Sequence, residues 1–123
     1  MKKTFLVAGA LFGGVGVALG AFGAHGLRDI LSEEHLKTFH TAVEYQFYHA
    51  FALLLTGLIS ERIQTRPISV AGNLFIAGII LFSGSLYLLA IFEPMEWIGI
   101  VTPFGGLCFL GGWGFLLTAV LRK

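Results

Sequence analysis

Four side chains in this sequence could hold or move a proton in otherwise apolar surroundings: His25, Arg28, Glu44 and His49. Hydrogen-bonding residues accompany them: Tyr45, Gln46, Ser83, Ser85, Tyr87 and Thr102. Histidine can change charge near neutral pH, and an ionisable group in a lipid-crossing helix faces protein or a wet cavity. Two kinds of chemistry suit this set. One is polar glue, in which the groups satisfy one another and fix which helices adjoin. The other is a proton-linked or ligand-binding pocket.

Catalysis has little to build on. The sequence has no Gly-x-Ser-x-Gly elbow, no His-Glu-x-x-His pair and no two carboxylates placed on one helical face. A metal site is not expected, because His35 and His40 are five apart and have no cysteine partner. No cofactor is expected; haem between His25 and His49 is the weakest ligand reading. Gly13-Gly14-Val15-Gly16 is not a phosphate loop, since no strand precedes it.

The elements that must carry these residues are four long apolar stretches near Thr4–Ala24, Thr41–Ser60, Ile68–Phe92 and Trp97–Leu121. Each matches the ~20 residues that a helix needs to cross a hydrocarbon core of ~30 Å. The chain is 56% hydrophobic and only 12% charged, with 17 glycines. Its mean hydropathy is +0.85. The expected fold is therefore all-α, an integral-membrane four-helix bundle forming a single domain over 1–123. Little chain remains for a soluble catalytic domain, and a net charge of +1 gives no reason to expect nucleic acid. Membrane lipids are the expected partners. The first span reads as retained, because its apolar run exceeds the 7–15 residues of a signal-peptide core. The lone Cys108 reads as a small apolar filler.

Charge asymmetry predicts sidedness. Lys2, Lys3, Arg62, Arg66, Arg122 and Lys123 would share one side of four crossings, against Arg28 and Lys37 on the other. The positive-inside rule places both termini and the middle loop in the cytoplasm, with the short loop from Glu93 to Glu96 outside. Ser32 can cap a helix whose dipole favours Glu33 and Glu34. Leu36, Phe39, Val43 and Phe47 recur at helical spacing. This predicts a short amphipathic helix between spans one and two, bending or running straight into the second span.

Counted from Ser60, His49 is ~16 Å and Glu44 ~24 Å along the second helix. The polar residues thus converge on the outer half of the bundle. Tyr45 and His49 share a face, whereas Glu44 and His49 are about 140° apart. The expected pairs are Glu44 with Arg28 or a surface histidine, and His49 with Tyr45, Tyr87 or a serine. Gln46 can add an amide bond between helices. Gly9, Gly13, Gly16, Gly20 and Gly23 line the first span at alternating four- and three-residue spacing, and Gly105, Gly106 and Gly112 punctuate the fourth. Such stripes serve close helix packing within the chain or in a homo-oligomer. Pro103 either kinks the fourth span or sits near enough to its start to do little.

At Gly20-Ala21-Phe22-Gly23-Ala24-His25-Gly26-Leu27 the chain resembles the YwdK/YgdD type of small bacterial inner-membrane protein, a domain of unknown function with small eukaryotic transmembrane relatives. Tyr45-Gln46-Phe47-Tyr48-His49-Ala50, Leu81 to Tyr87, and Thr102-Pro103-Phe104-Gly105-Gly106 leading to Gly112-Trp113 extend the resemblance over the chain. It implies a four-helix, multi-pass membrane protein and no particular reaction. The functional expectation is a non-enzymatic binding or structural membrane protein. The alternatives are an oligomeric small-solute or proton-linked transporter, or a lipid-modifying enzyme.

Overall fold

The computed structural model describes residues 3–92 and 96–122. Lys2, Lys123 and Glu93-Pro94-Met95, used above for sidedness, lie outside the described residues.

The described chain is all-α. Helix α1 spans Thr4–His25 and α2 spans Glu33–Ile59. Next come α3 (Arg66–Gly78), a π-helical turn (Ile79–Ser83) and α4 (Gly84–Ile91), which form one rod over Arg66–Ile91. A 3-10 turn (Glu96–Ile100) then leads into α5 (Val101–Leu121). Four rods result. Three of them, Thr4–His25, Arg66–Ile91 and Trp97–Leu121, are long and apolar enough to cross a membrane. Helix α2 is not among these three. Its middle carries Glu44, Tyr45, Gln46, Tyr48 and His49, which dilute its apolar character.

No separate short helix lies between α1 and α2. Residues 33–40 are the first turns of α2, which continues unbroken for 27 residues. Ser32 caps it, its side chain accepting from the His35 amide at 3.1 Å. Glu33 and Glu34 occupy the first turn, where the helix dipole favours them. Pro103 lies in the first turn of α5, just after the 3-10 turn, and α5 runs on without a break.

Successive rods alternate in direction. The start of α1, the end of α2, the start of α3 and the end of α5 meet in one apolar core built from Phe5, Leu53, Ile68, Phe75 and Leu116. A smaller cluster at the opposite end joins Leu27, Phe39, Val43 and Ala90, with Tyr87 packed against it. Helix α1 packs along α2, α2 along the central rod, and that rod along α5.

Glycines set the spacing. A methyl group at Gly9 would stand 2.8 Å from Leu54, and one at Gly23 would stand 2.7 Å from the Phe39 ring. Gly16 meets Phe47 in the same line. Every seventh residue of α1 therefore faces α2. Gly13 has nothing near it, and Gly20 is looser, 3.6 Å from Val43. The stripe read from the sequence is thus a packing line only in part. On α5, Gly105 lies against the backbone of Phe82 in the π-helical turn, and a methyl at Gly112 would lie 2.6 Å from Phe75. Gly106 is more open, 4.0 Å from the Phe82 side chain.

Candidate functional site

Gln46 and His49 of α2 face inward and are tied to three other elements. Gln46 is 2% exposed and His49 is 4% exposed. The Gln46 amide donates from Nε2 to the Phe12 carbonyl of α1 at 2.7 Å. A carbonyl can only accept, so the amide oxygen must point the other way. There it accepts from the Tyr87 hydroxyl of α4 at 2.6 Å. One amide therefore bridges α1, α2 and α4. Tyr87 also meets Phe39 edge-on, with ring centroids 5.1 Å apart.

His49 obeys a similar constraint. Its Nδ1 lies 2.8 Å from the Tyr45 carbonyl, one turn back on α2, and its Nε2 lies 3.0 Å from Trp113 Nε1 on α5. The carbonyl only accepts and the indole N–H only donates. Nδ1 must therefore carry the proton, and Nε2 must be bare. This geometry suits the neutral Nδ1–H tautomer alone. A doubly protonated ring would aim one N–H at another. The imidazole is stacked on Phe109 with centroids 3.5 Å apart and planes 6° from parallel. Its ring also lies within 6.3 Å of the Tyr45 ring, nearly parallel to it.

The hydroxyls close on one another. Ser83, fully buried at the end of the π-helical turn, donates to the Ala42 carbonyl of α2 at 2.7 Å. Ser85 donates to the Phe82 carbonyl at 2.9 Å. That uses its one proton, so Thr102 of α5 donates to Ser85 across 2.5 Å. Among the described residues, no buried side-chain nitrogen or oxygen lacks a partner.

The charged residues do not join this network. Arg28, Glu44 and His25 are exposed, and His25 bonds only to the Ala21 carbonyl of its own helix, at 3.1 Å. No ion pair links Glu44 to Arg28 or to a histidine among the described residues. The reason is angular. α1 meets α2 along Phe39, Val43, Phe47 and Leu54, and Glu44 is about 100° from Val43 around the helix. His49 likewise bonds to neither Tyr87 nor a serine, since those hydroxyls already serve Gln46, Ala42 and Phe82.

Sequence reasoning missed Trp113. Its indole is the polar tie of α5 to His49, yet Trp113 is 64 residues away and lies in an apolar helix. A signal did exist: an indole N–H inside lipid needs an acceptor, and few neutral acceptors occur in this chain.

Between α2 and α5, floored by Phe82, lies an open groove of about 460 Å3 lined by Tyr45, Tyr48, His49, Phe82, Gly106, Phe109, Leu110 and Trp113. Its walls are almost wholly apolar and aromatic. A group of three metal-ligating side chains is absent among the described residues.

Relatives agree over nearly the full chain. It is 37% identical to the UPF0382 membrane protein YwdK of Bacillus subtilis (strain 168), over 98% of each chain. It is 45% identical to a UPF0382 membrane protein of Staphylococcus epidermidis, over 98% of this chain and 97% of the relative. The identity to a UPF0382 membrane protein of Haemophilus influenzae is 44%, over 92% and 90%. No solved structure matches. The family model described as "Protein of unknown function (DUF423)" matches residues 19–106, which include Gln46, His49, Ser83, Ser85, Tyr87 and Thr102. With these full-length matches and three apolar rods of membrane-crossing length, the chain belongs to the DUF423 family of bacterial UPF0382 membrane proteins.

Proposed function

We propose that this protein crosses the membrane four times, with both termini on the cytoplasmic side, and acts without catalysis as a scaffold for an apolar, lipid-soluble ligand held between α2 and α5. Helix α2 is the fourth span. Its 27 residues extend ~40 Å, which exceeds the hydrocarbon core. The residues that lower its apolarity, Gln46 and His49, are shielded by protein and hydrogen-bonded there. Lys3, Arg62, Arg66 and Arg122 lie at the end of the bundle where α1 begins and α5 stops, which supports the cytoplasmic assignment.

One observation carries the functional reading: the buried polar network is closed. Among the described residues, each buried side-chain nitrogen and oxygen is used within the protein, which leaves no buried side chain unpaired to serve as an acid, base or nucleophile. A neutral His49 held between an acceptor and a donor is a strut, and relaying a proton would require breaking its bond to Trp113. Beside His49 the aromatic groove stays open.

Two measurements test this. With Cys108 replaced by serine, Asp29→Cys should react with a membrane-impermeant maleimide in intact cells, and Arg62→Cys should not; the reverse pattern overturns the topology. Purified protein in liposomes should show no proton flux driven by pH or voltage. Flux that His49→Phe abolishes would replace the scaffold with a proton pathway.

A further inference from the structure

Three polar side chains on α2 stand apart from the closed network. Among the described residues, neither the Tyr45 nor the Tyr48 hydroxyl has a protein hydrogen-bond partner, and the Glu44 carboxylate has no ion pair. All three are exposed, Tyr48 at 53%. Glu44 and Tyr48 are four apart and share a face, and both tyrosines line the groove. An unpaired donor within reach of hydrocarbon is expensive, so an acceptor must come from outside the protein.

We propose that the groove binds one ester-linked phospholipid with an ammonium headgroup, a reading that rests on α2 being a membrane span. An acyl chain lies against Phe82, Phe109 and Trp113. Helical side chains lean toward the helix N-terminus, which for α2 is the end bearing Glu33. Tyr45 and Tyr48 start ~22 Å and ~18 Å from Ser60, so their hydroxyls reach toward the outer boundary of a ~30 Å core. Ester carbonyls lie at that boundary. They accept and do not donate, which complements two phenol donors. One turn above Tyr48, the unpaired Glu44 carboxylate attracts an ammonium group and repels an anionic headgroup. Charge and hydrogen-bond polarity at Glu44, Tyr45 and Tyr48 therefore select the same ligand. A second copy of the chain would bring a further Glu44 toward the first in a parallel pairing.

The test uses full-length protein carrying Trp97→Phe, which leaves Trp113 as its only tryptophan. It is reconstituted in vesicles containing chain-brominated phospholipids, and bromine quenching of Trp113 fluorescence reports occupancy. Competition against unbrominated lipid should show a preference of about two- to fivefold for an ammonium over an anionic headgroup. Ester linkages should be preferred over ether linkages by about fivefold. Glu44→Gln should erase the first preference alone, and Tyr45→Phe with Tyr48→Phe the second alone. These variants keep the rings and the helix, so folding is retained. Equal quenching by every lipid would overturn the proposal in favour of unselective solvation. Quenching that appears only on dilution of protein into lipid would overturn it in favour of a second copy. An inverted maleimide pattern would instead sink the topology and leave any measured lipid preference standing.

Discussion

Toward Ser60 the helices are pressed together by large apolar side chains seated on small ones. Toward Glu33 they are tied by polar side chains. Phe5 of α1 lies against Gly72 of α3, Phe75 against Gly112 of α5, and Leu6 against Gly57 of α2. The hydroxyls of Thr56 and Ser60 there bond to carbonyls of their own helix. Higher up, Gln46, His49, Ser83 and Ser85 each reach across to another element. Water drives apolar helices together, and lipid does not. Close packing and internal hydrogen bonds are the two remaining means: glycines pack closely along the whole bundle, at Gly23 and Gly105 as at Gly72, and hydrogen bonds between helices are added toward Glu33. The first gives shape. The second also fixes the direction of each donor and acceptor, and so the rotation of α2 about its own axis.

The largest effect is expected where a methyl would meet backbone and not a side chain, at Gly105 within the polar half. Gly105→Ala would place a methyl against the backbone of Phe82, which cannot swing aside. We expect a loss of about 3 kcal/mol, measured by unfolding in mixed micelles, or failure to recover folded protein. Gly13→Ala, whose methyl would meet nothing, should leave stability unchanged in the same assay. Gln46→Leu strands the half-buried Tyr87 hydroxyl and should cost about 2 kcal/mol. Adding Tyr87→Phe should recover part of that loss, because the orphaned donor is then gone. The smallest effect is expected at Glu44. Its carboxylate is exposed and unpaired, so Glu44→Gln should shift stability by less than about 0.5 kcal/mol. A large loss there would mean that the exposed residues belong to the network after all.

The sequence was most legible where lipid makes a simple demand. Apolar runs located α1, the central rod and α5, and Ser32 with Glu33 and Glu34 marked the start of α2. Helical angle alone separated Glu44 from His49. Pairings across the bundle were less legible. Residue type did not reveal that the π-helical turn would advance Phe82 toward the groove while burying Ser83 beside Ala42. Gly105 packs against that turn at Phe82, a relation between residues 23 apart in sequence. The partner of His49 was hidden for a related reason: several residues could reach a mid-bundle imidazole, and only the packing of α5 selects Trp113. Glycine spacing was similarly ambiguous, since Gly9, Gly16 and Gly23 meet α2 while Gly13 meets open space.

The account turns on the protonation of one ring. In lipid nanodiscs at pH 7, nitrogen-15 NMR of histidine-labelled protein should show His49 as a neutral imidazole with its proton on Nδ1. Its Nε2 should be an acceptor that loses its coupling partner when Trp113 becomes phenylalanine. An Nε2–H tautomer, or a doubly protonated ring, would contradict the closed network and reopen His49 as a working acid or base.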